Sequence, residues 1–170
     1  MIDLTSYTLG ETDQLIEVDS KDDLRQLILT MAQQAQHRIL IFSHDLDKSL
    51  FDTEDLYEAI KNLAIKNHRT HIQILVHDPK PMVTAGHRLH TLTQRISSHM
   101  SIKVTAIEHH DVYENFMIFD DDAYIIRKNP TRFNGEGNFY APLKNRQYSE
   151  QFLEMWEHGV VDNSLRRLSL

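Results

Sequence analysis

Ile39, Leu40, Ile41 and Phe42 stand in unbroken succession, so residues 38–43 are predicted to form a strand buried on both faces, which requires helices around it. The neighbouring patterns supply those helices. Leu24, Leu27, Ile28, Met31 and Ala35 recur at helical spacing over residues 20–36 behind the caps Asp19 and Ser20, and Leu56, Ile60, Leu63 and Ala64 do so behind Thr53, through about residue 67. A short strand is predicted at residues 15–18, a further strand at 71–77, stopped by Asp78 and Pro79, and another by alternation at 102–107. Between the last two, residues 81–98 read as one helix with Val83, Leu89, Leu92 and Ile96 inward and His87, Arg88 and Arg95 toward solvent or a cleft. Gly86 weakens its first turns. Tyr113, Asn115, Met117 and Phe119 alternate with Glu114, Phe116 and Ile118, which predicts a buried strand closed by Asp120. The turn Asp120-Asp121-Asp122 folds it back into a second strand at residues 123–127. Residues 128–138, rich in proline, glycine and asparagine, read as a long surface loop. Tyr148, Phe152, Met155 and Trp156 mark a last helix ended by Gly159, and residues 159–170 form a tail.

This alternation of strands and helices predicts an α/β domain with a mixed central sheet flanked by helices. With 170 residues the chain fits one domain, 1–170, with its core at about 15–158. The net charge of −7 argues against a general nucleic-acid binder, but it is unevenly spread. Acidic side chains dominate residues 1–60. Residues 61–110 are basic and hold His68, His71, His77, His87, His90, His99, His109 and His110, a region whose attraction for an anion grows below about pH 6.5. A solvated basic face is the plainer account of it. The absence of cysteine excludes disulfides, cysteine-ligated zinc and thiol catalysis, and fits a reducing cytoplasm. No apolar run approaches the roughly 20 residues of a membrane span, and the acidic start lacks the regions of a signal peptide, so a cytoplasmic protein is expected.

The order of elements resembles one half of the phospholipase D superfamily, whose signature is HxKxxxxD on a strand. Tyr113, Asn115 and Asp120 stand at its three spacings. The resemblance covers about residues 15–158 and implies a phospholipase D-like single half. In that family the histidine attacks the phosphodiester phosphorus, the lysine stabilises the phosphoryl oxygens and the aspartate supports a histidine. Here the nucleophile position is Tyr113 and the cation position is Asn115; only Asp120 is retained. A phenol with a pKa of about 10 is a poor nucleophile at neutral pH, and asparagine has no charge to offset phosphoryl charge. The motif is degenerate, and the usual chemistry is expected to be lost. After it, where active members carry glycine or serine, stand Arg127, Lys128 and Asn129. With Arg132 they are the candidate ligand-binding set, either rebuilding an anion site or covering the old pocket. Single-domain members commonly pair into homodimers, so the resemblance also implies dimerisation.

His109 and His110 are rival nucleophiles just before the motif, yet sliding the signature onto them would require lysine at Asp111 or Val112. His68-x-x-His71 and His87-x-x-His90 have metal-ligand spacing without acidic ligands nearby, and the acidic loop of residues 44–52 reads as turn and cap chemistry; no metal and no cofactor are expected. Arg132, Phe133, Phe139, Tyr140, Lys144, Arg146 and Tyr148 combine bases and aromatics as single-stranded nucleic acid binding requires, although core packing accounts for them more simply. The expectation is a non-catalytic domain that binds a phosphate-bearing ligand or a protein partner in a regulatory or scaffold role. The alternatives are a divergent phosphodiesterase or nuclease using a histidine outside the motif, and an interaction module that uses the acidic first sixty residues.

Overall fold

The structure, a computed structural model, describes residues 1–166. Its centre is a 7-stranded sheet built from β1 (Ile16–Val18), β2 (Arg38–Ser43), β3 (His71–Val76), β4 (Met100–Val104), β5 (Asn115–Phe119), β6 (Ala123–Arg127) and β7 (Gly135–Asn138). The strand order is β1-β7-β6-β5-β2-β3-β4. β2, β3 and β4 are parallel, β5 runs antiparallel to β2, and β5, β6 and β7 form an antiparallel meander to which β1 adds.

Alternation along β2 sorts its side chains to two faces. Ile39 and Ile41 enter one core beneath α1 (Lys21–Gln34), α3 (Glu54–Ala64) and α5 (Arg88–Arg95), whereas Leu40 and Phe42 join Leu75, Phe116, Ile118, Phe152 and Met155 beneath α6 (Pro142–His158). A strand so enclosed reads as a continuous apolar run, and this one does. Ser20 caps α1 by accepting the Asp23 amide, and Thr53 caps α3 by accepting that of Leu56. Gly137 of β7 lets α1 approach: a Cβ there would lie 3.0 Å from the Tyr124 carbonyl oxygen and 3.1 Å from Leu27 Cδ2. α6 is tied to the β5–β6 turn by Asn145, whose Nδ2 donates to the carbonyls of Asp120 and Ala123.

Five local expectations are corrected. The helix over 81–98 is two, α4 (Lys80–Ala85) and α5, because Gly86 adopts φ 77° and breaks the run. His87 then becomes a buried cap of α5, not a solvent-facing residue. The surface loop of 128–138 contains β7, a strand whose two glycines hide it from propensity. The strand expected from Tyr113 begins at Asn115, and the one expected at 102–107 ends at Val104, with a 3₁₀ turn at Ile107–His109. The loop after β2 also contains a single helical turn, α2 (Lys48–Phe51). In the tail, Val104 and Val160 exchange two backbone hydrogen bonds of 2.8 Å along the outer edge of β4, and a 3₁₀ turn follows at Asn163–Arg166. The last four residues of the expected tail lie outside the described residues.

Candidate functional site

The carboxyl ends of β2 and β3, the start of β5 and the end of β6 meet along one edge of the sheet, because β5 is antiparallel to β2 and Asn115 pairs with Arg127. The residues that emerge there form a crown. Ligands of open α/β sheets collect in this position.

Three imidazoles form a row across the crown. The ring centroids of His44 and His77 are 5.7 Å apart, and those of His77 and His110 are 4.9 Å apart. His77, half-buried in the middle, has both nitrogens engaged: Nε2 donates to the Val112 carbonyl (2.8 Å), and Nδ1 therefore accepts the Thr105 hydroxyl (2.6 Å). Burial lowers its pKa from the ordinary value; the Val112 carbonyl opposes this, and His110 and His44 add to it. His44 and His110 are exposed. Asp45 is shifted up, first by burial and then by Asp47, against the pull of His44.

Arg127 is 5% exposed and fully engaged. Its Nη1 lies 3.4 Å from Asp47 Oδ2, its Nε donates to the Arg132 carbonyl, and its guanidinium sits 5.1 Å from the centre of the Phe133 ring. Beside it a cavity of about 20 Å³ is lined mainly by apolar side chains, among them Leu24, Ile28, Phe51, Met117 and Ile125, with Asn115 and Arg127 in its wall, so it is a packing gap between α1 and the sheet.

Residues 20–168 match a family described as "Domain of unknown function (DUF7931)". The chain belongs to this family. A comparison with curated proteins gives no match for this DUF7931 domain. Among solved structures it is similar to Nuc of Salmonella typhimurium, a phospholipase D family member, at 13% identity and a TM-score of 0.63 over 86% of this chain and 95% of that one. NucT from Helicobacter pylori gives 12% identity and a TM-score of 0.61 over 88% and 100%. TrmBL2, an archaeal chromatin protein with a novel mode of DNA binding, gives 13% and 0.63 over 92% and 56%. At these identities the likeness establishes the fold, and the DUF7931 domain has the phospholipase D-like one.

Within that fold the three motif positions of the DUF7931 domain are separated. Asn115, 7% exposed, accepts the His44 backbone N–H with Oδ1 (3.2 Å). Tyr113 is 58% exposed, outside the strand, and its hydroxyl donates to Asn129 Oδ1 (3.0 Å). Asp120 lies at the opposite end of β5, roughly 17 Å along a five-residue strand. Its buried carboxylate accepts the backbone amides of Gln36, His37 and Arg38 at 2.9, 2.8 and 3.1 Å, so it braces the start of β2. Of the candidate ligand set, Lys128 is exposed and 3.9 Å from Glu136, Asn129 holds Tyr113 and Thr131, and Arg132 gives its carbonyl to Arg127. His110 belongs to the crown, whereas His109 turns to His158, Nε2 to Nδ1 at 3.3 Å.

The pair His87 and His90 is buried and spent on backbone groups: His87 Nδ1 accepts the Leu89 amide and its Nε2 donates to Leu46, while His90 Nε2 donates to Leu165. His68 and His71 are exposed at and before the start of β3, not on a helix. The aromatic and basic residues after 131 are dispersed: Phe139 packs on Tyr7, Tyr148 on Phe116, and Phe133 under Arg127. His44 and Asp47 stand in the loop of residues 44–52 that the sequence assigns to turn and cap chemistry, and His77 stands among the histidines of the basic region; none was singled out as a site residue. Their signal was position, immediately beyond the ends of two buried strands.

Proposed function

We propose that this chain is a catalytically silent phospholipase D-like domain that acts by binding a protein, in a regulatory or scaffold role, with the crown as its contact face. The observation that carries the reading is that the groups at the former reaction centre are spent internally. Asn115 holds the His44 amide, and Arg127 is locked by Asp47, the Arg132 carbonyl and Phe133. The buried cation at the crown, Arg127, is already spent on Asp47, and Asp45, Asp47 and Asp78 around the crown oppose a phosphate-bearing ligand. A partner surface needs exposed aromatic and polar groups, and Tyr113, His44, His110 and Lys128 provide them. A second copy of the chain, pairing crown to crown in the cytoplasm, is the partner this reading favours, since Asp111 on one copy and Lys128 or Arg132 on the other make a self-complementary face.

The test joins light scattering with hydrolysis. A dimer that Tyr113→Asp converts to monomer, with no turnover of a bis-aryl phosphodiester or of single-stranded DNA, is the expected result. A monomer at every concentration would remove the second copy as partner.

The second reading, a divergent phosphodiesterase, draws on the exposed His110 imidazole beside His77. Turnover that disappears in His110→Ala would establish it and overturn the first.

A further inference from the structure

Glu108 and His109 lie in the 3₁₀ turn after β4, and His158 ends α6. His109 Nε2 is 3.3 Å from His158 Nδ1, and Glu108 Oε1 is 4.0 Å from the first nitrogen and 3.8 Å from the second. Among the described residues this is the one group of three such side chains whose ligand atoms all lie within 4.8 Å of one another. We propose that Glu108, His109 and His158 bind one divalent transition-metal ion, zinc by the chemistry of its ligands.

The spacing fits. Two nitrogens on a tetrahedral zinc, each about 2.0–2.1 Å from the metal, stand about 3.3–3.4 Å apart. The carboxylate must close by about half an ångström to reach its bonding distance. Its side chain is 61% exposed and free to turn. Two imidazoles with one carboxylate suit zinc, nickel or copper, whereas calcium and magnesium ask for oxygen alone. A water or an external group would complete the fourth position.

The limbs are held in place without the ion. Val104 and Val160 exchange two hydrogen bonds of 2.8 Å, Lys103 Nζ donates to the Trp156 carbonyl at 3.2 Å and lies over the Trp156 ring, and the His109 amide donates to Ala106. The ligands therefore meet on a frame already formed, which lowers the ordering cost of binding. Bound there, the ion would fasten the segment leading to His110 and Tyr113 to the end of α6, so the site borders the crown while standing apart from it.

The untagged, chelator-stripped full chain is titrated with zinc against a chromophoric chelator, and with cobalt(II) by absorption. The expected result is one saturable equivalent with the intense visible bands of four-coordinate cobalt. His158→Ala lowers affinity by at least about tenfold, Glu108→Gln weakens it, and the control His68→Ala leaves it unchanged. Because His158 and Glu108 are exposed, circular dichroism should report an unaltered fold in both variants. No saturable site, or binding by His158→Ala and Glu108→Gln equal to wild type, would overturn the proposal.

Discussion

Replacing Asp120 separates a bracing carboxylate from a catalytic one. Its two oxygens accept the amides of Gln36, His37 and Arg38, and the residue sits at φ 55° in the left-handed region. Asp120→Ala leaves three partly buried donors without their acceptor, a cost of about 3–6 kcal/mol when each loses about 1–2. The left-handed backbone adds about 1 kcal/mol for alanine, which glycine avoids. Asp120→Gly should therefore be about 1 kcal/mol more stable than Asp120→Ala although both lose the same hydrogen bonds. Asp120→Asn tolerates the backbone and keeps one oxygen, so it should fall between wild type and glycine. Urea denaturation with a constant m-value gives the four stabilities, and at about 2–4 °C per kcal/mol the alanine variant should melt roughly 10–25 °C lower. An alanine variant within about 1 kcal/mol of wild type, or equal to glycine, would refute the bracing role. So would a changed His77 titration in Asp120→Asn.

Stability should also fall with pH through His87, whose pKa burial lowers to about 4 against the pull of Asp52. The unfolded imidazole takes up protons near pH 6.5 while the folded one does not, so stability is full above that pH and declines by up to about 3 kcal/mol as pH falls to 4. His87→Asn keeps a capping acceptor for Leu89 and should flatten this slope in denaturation curves from pH 7 to pH 4. Arg127→Met should cost about 2–4 kcal/mol in the same assay, since it leaves Asp47 and the Arg132 carbonyl without their donor. Gly137→Ala, whose Cβ meets the Tyr124 carbonyl and Leu27, should lower the melting temperature through overpacking worth about 1–3 kcal/mol, whereas Gly10→Ala should act through its φ of 87°.

What could be read in the sequence depended on whether a signal was local. The strands β2 and β3 announced themselves because both faces are buried, and Ser20 and Thr53 marked helix starts because capping is a contact within three residues. β7 did not, since Gly135 and Gly137 clear the carbonyls of β6, and Gly137 also clears Leu27 of α1, tertiary requirements with no local pattern. The alternation from Tyr113 was real, but periodicity does not reveal where pairing begins, and the partner of Asn115 is Arg127. Asp120 kept the spacing of the signature while its contacts were to a backbone more than eighty residues away. The crown was the least legible feature: His44, His77 and His110 come from three separate loops, and only the sheet order brings them side by side.

The hydrogen bonds between Val104 and Val160 bear on how the molecule avoids polymerising. A sheet has two open rims, and an uncovered rim recruits strands from other molecules. One rim here is β1, only three residues long, and the other is β4, shielded by the returning chain after α6. That short return is a guard against fibril growth. Val160→Pro, which removes the amide that donates to Val104 while keeping Leu165 in the core, should bare the β4 rim, so the variant would aggregate in a concentration-dependent way that dye binding and light scattering would detect.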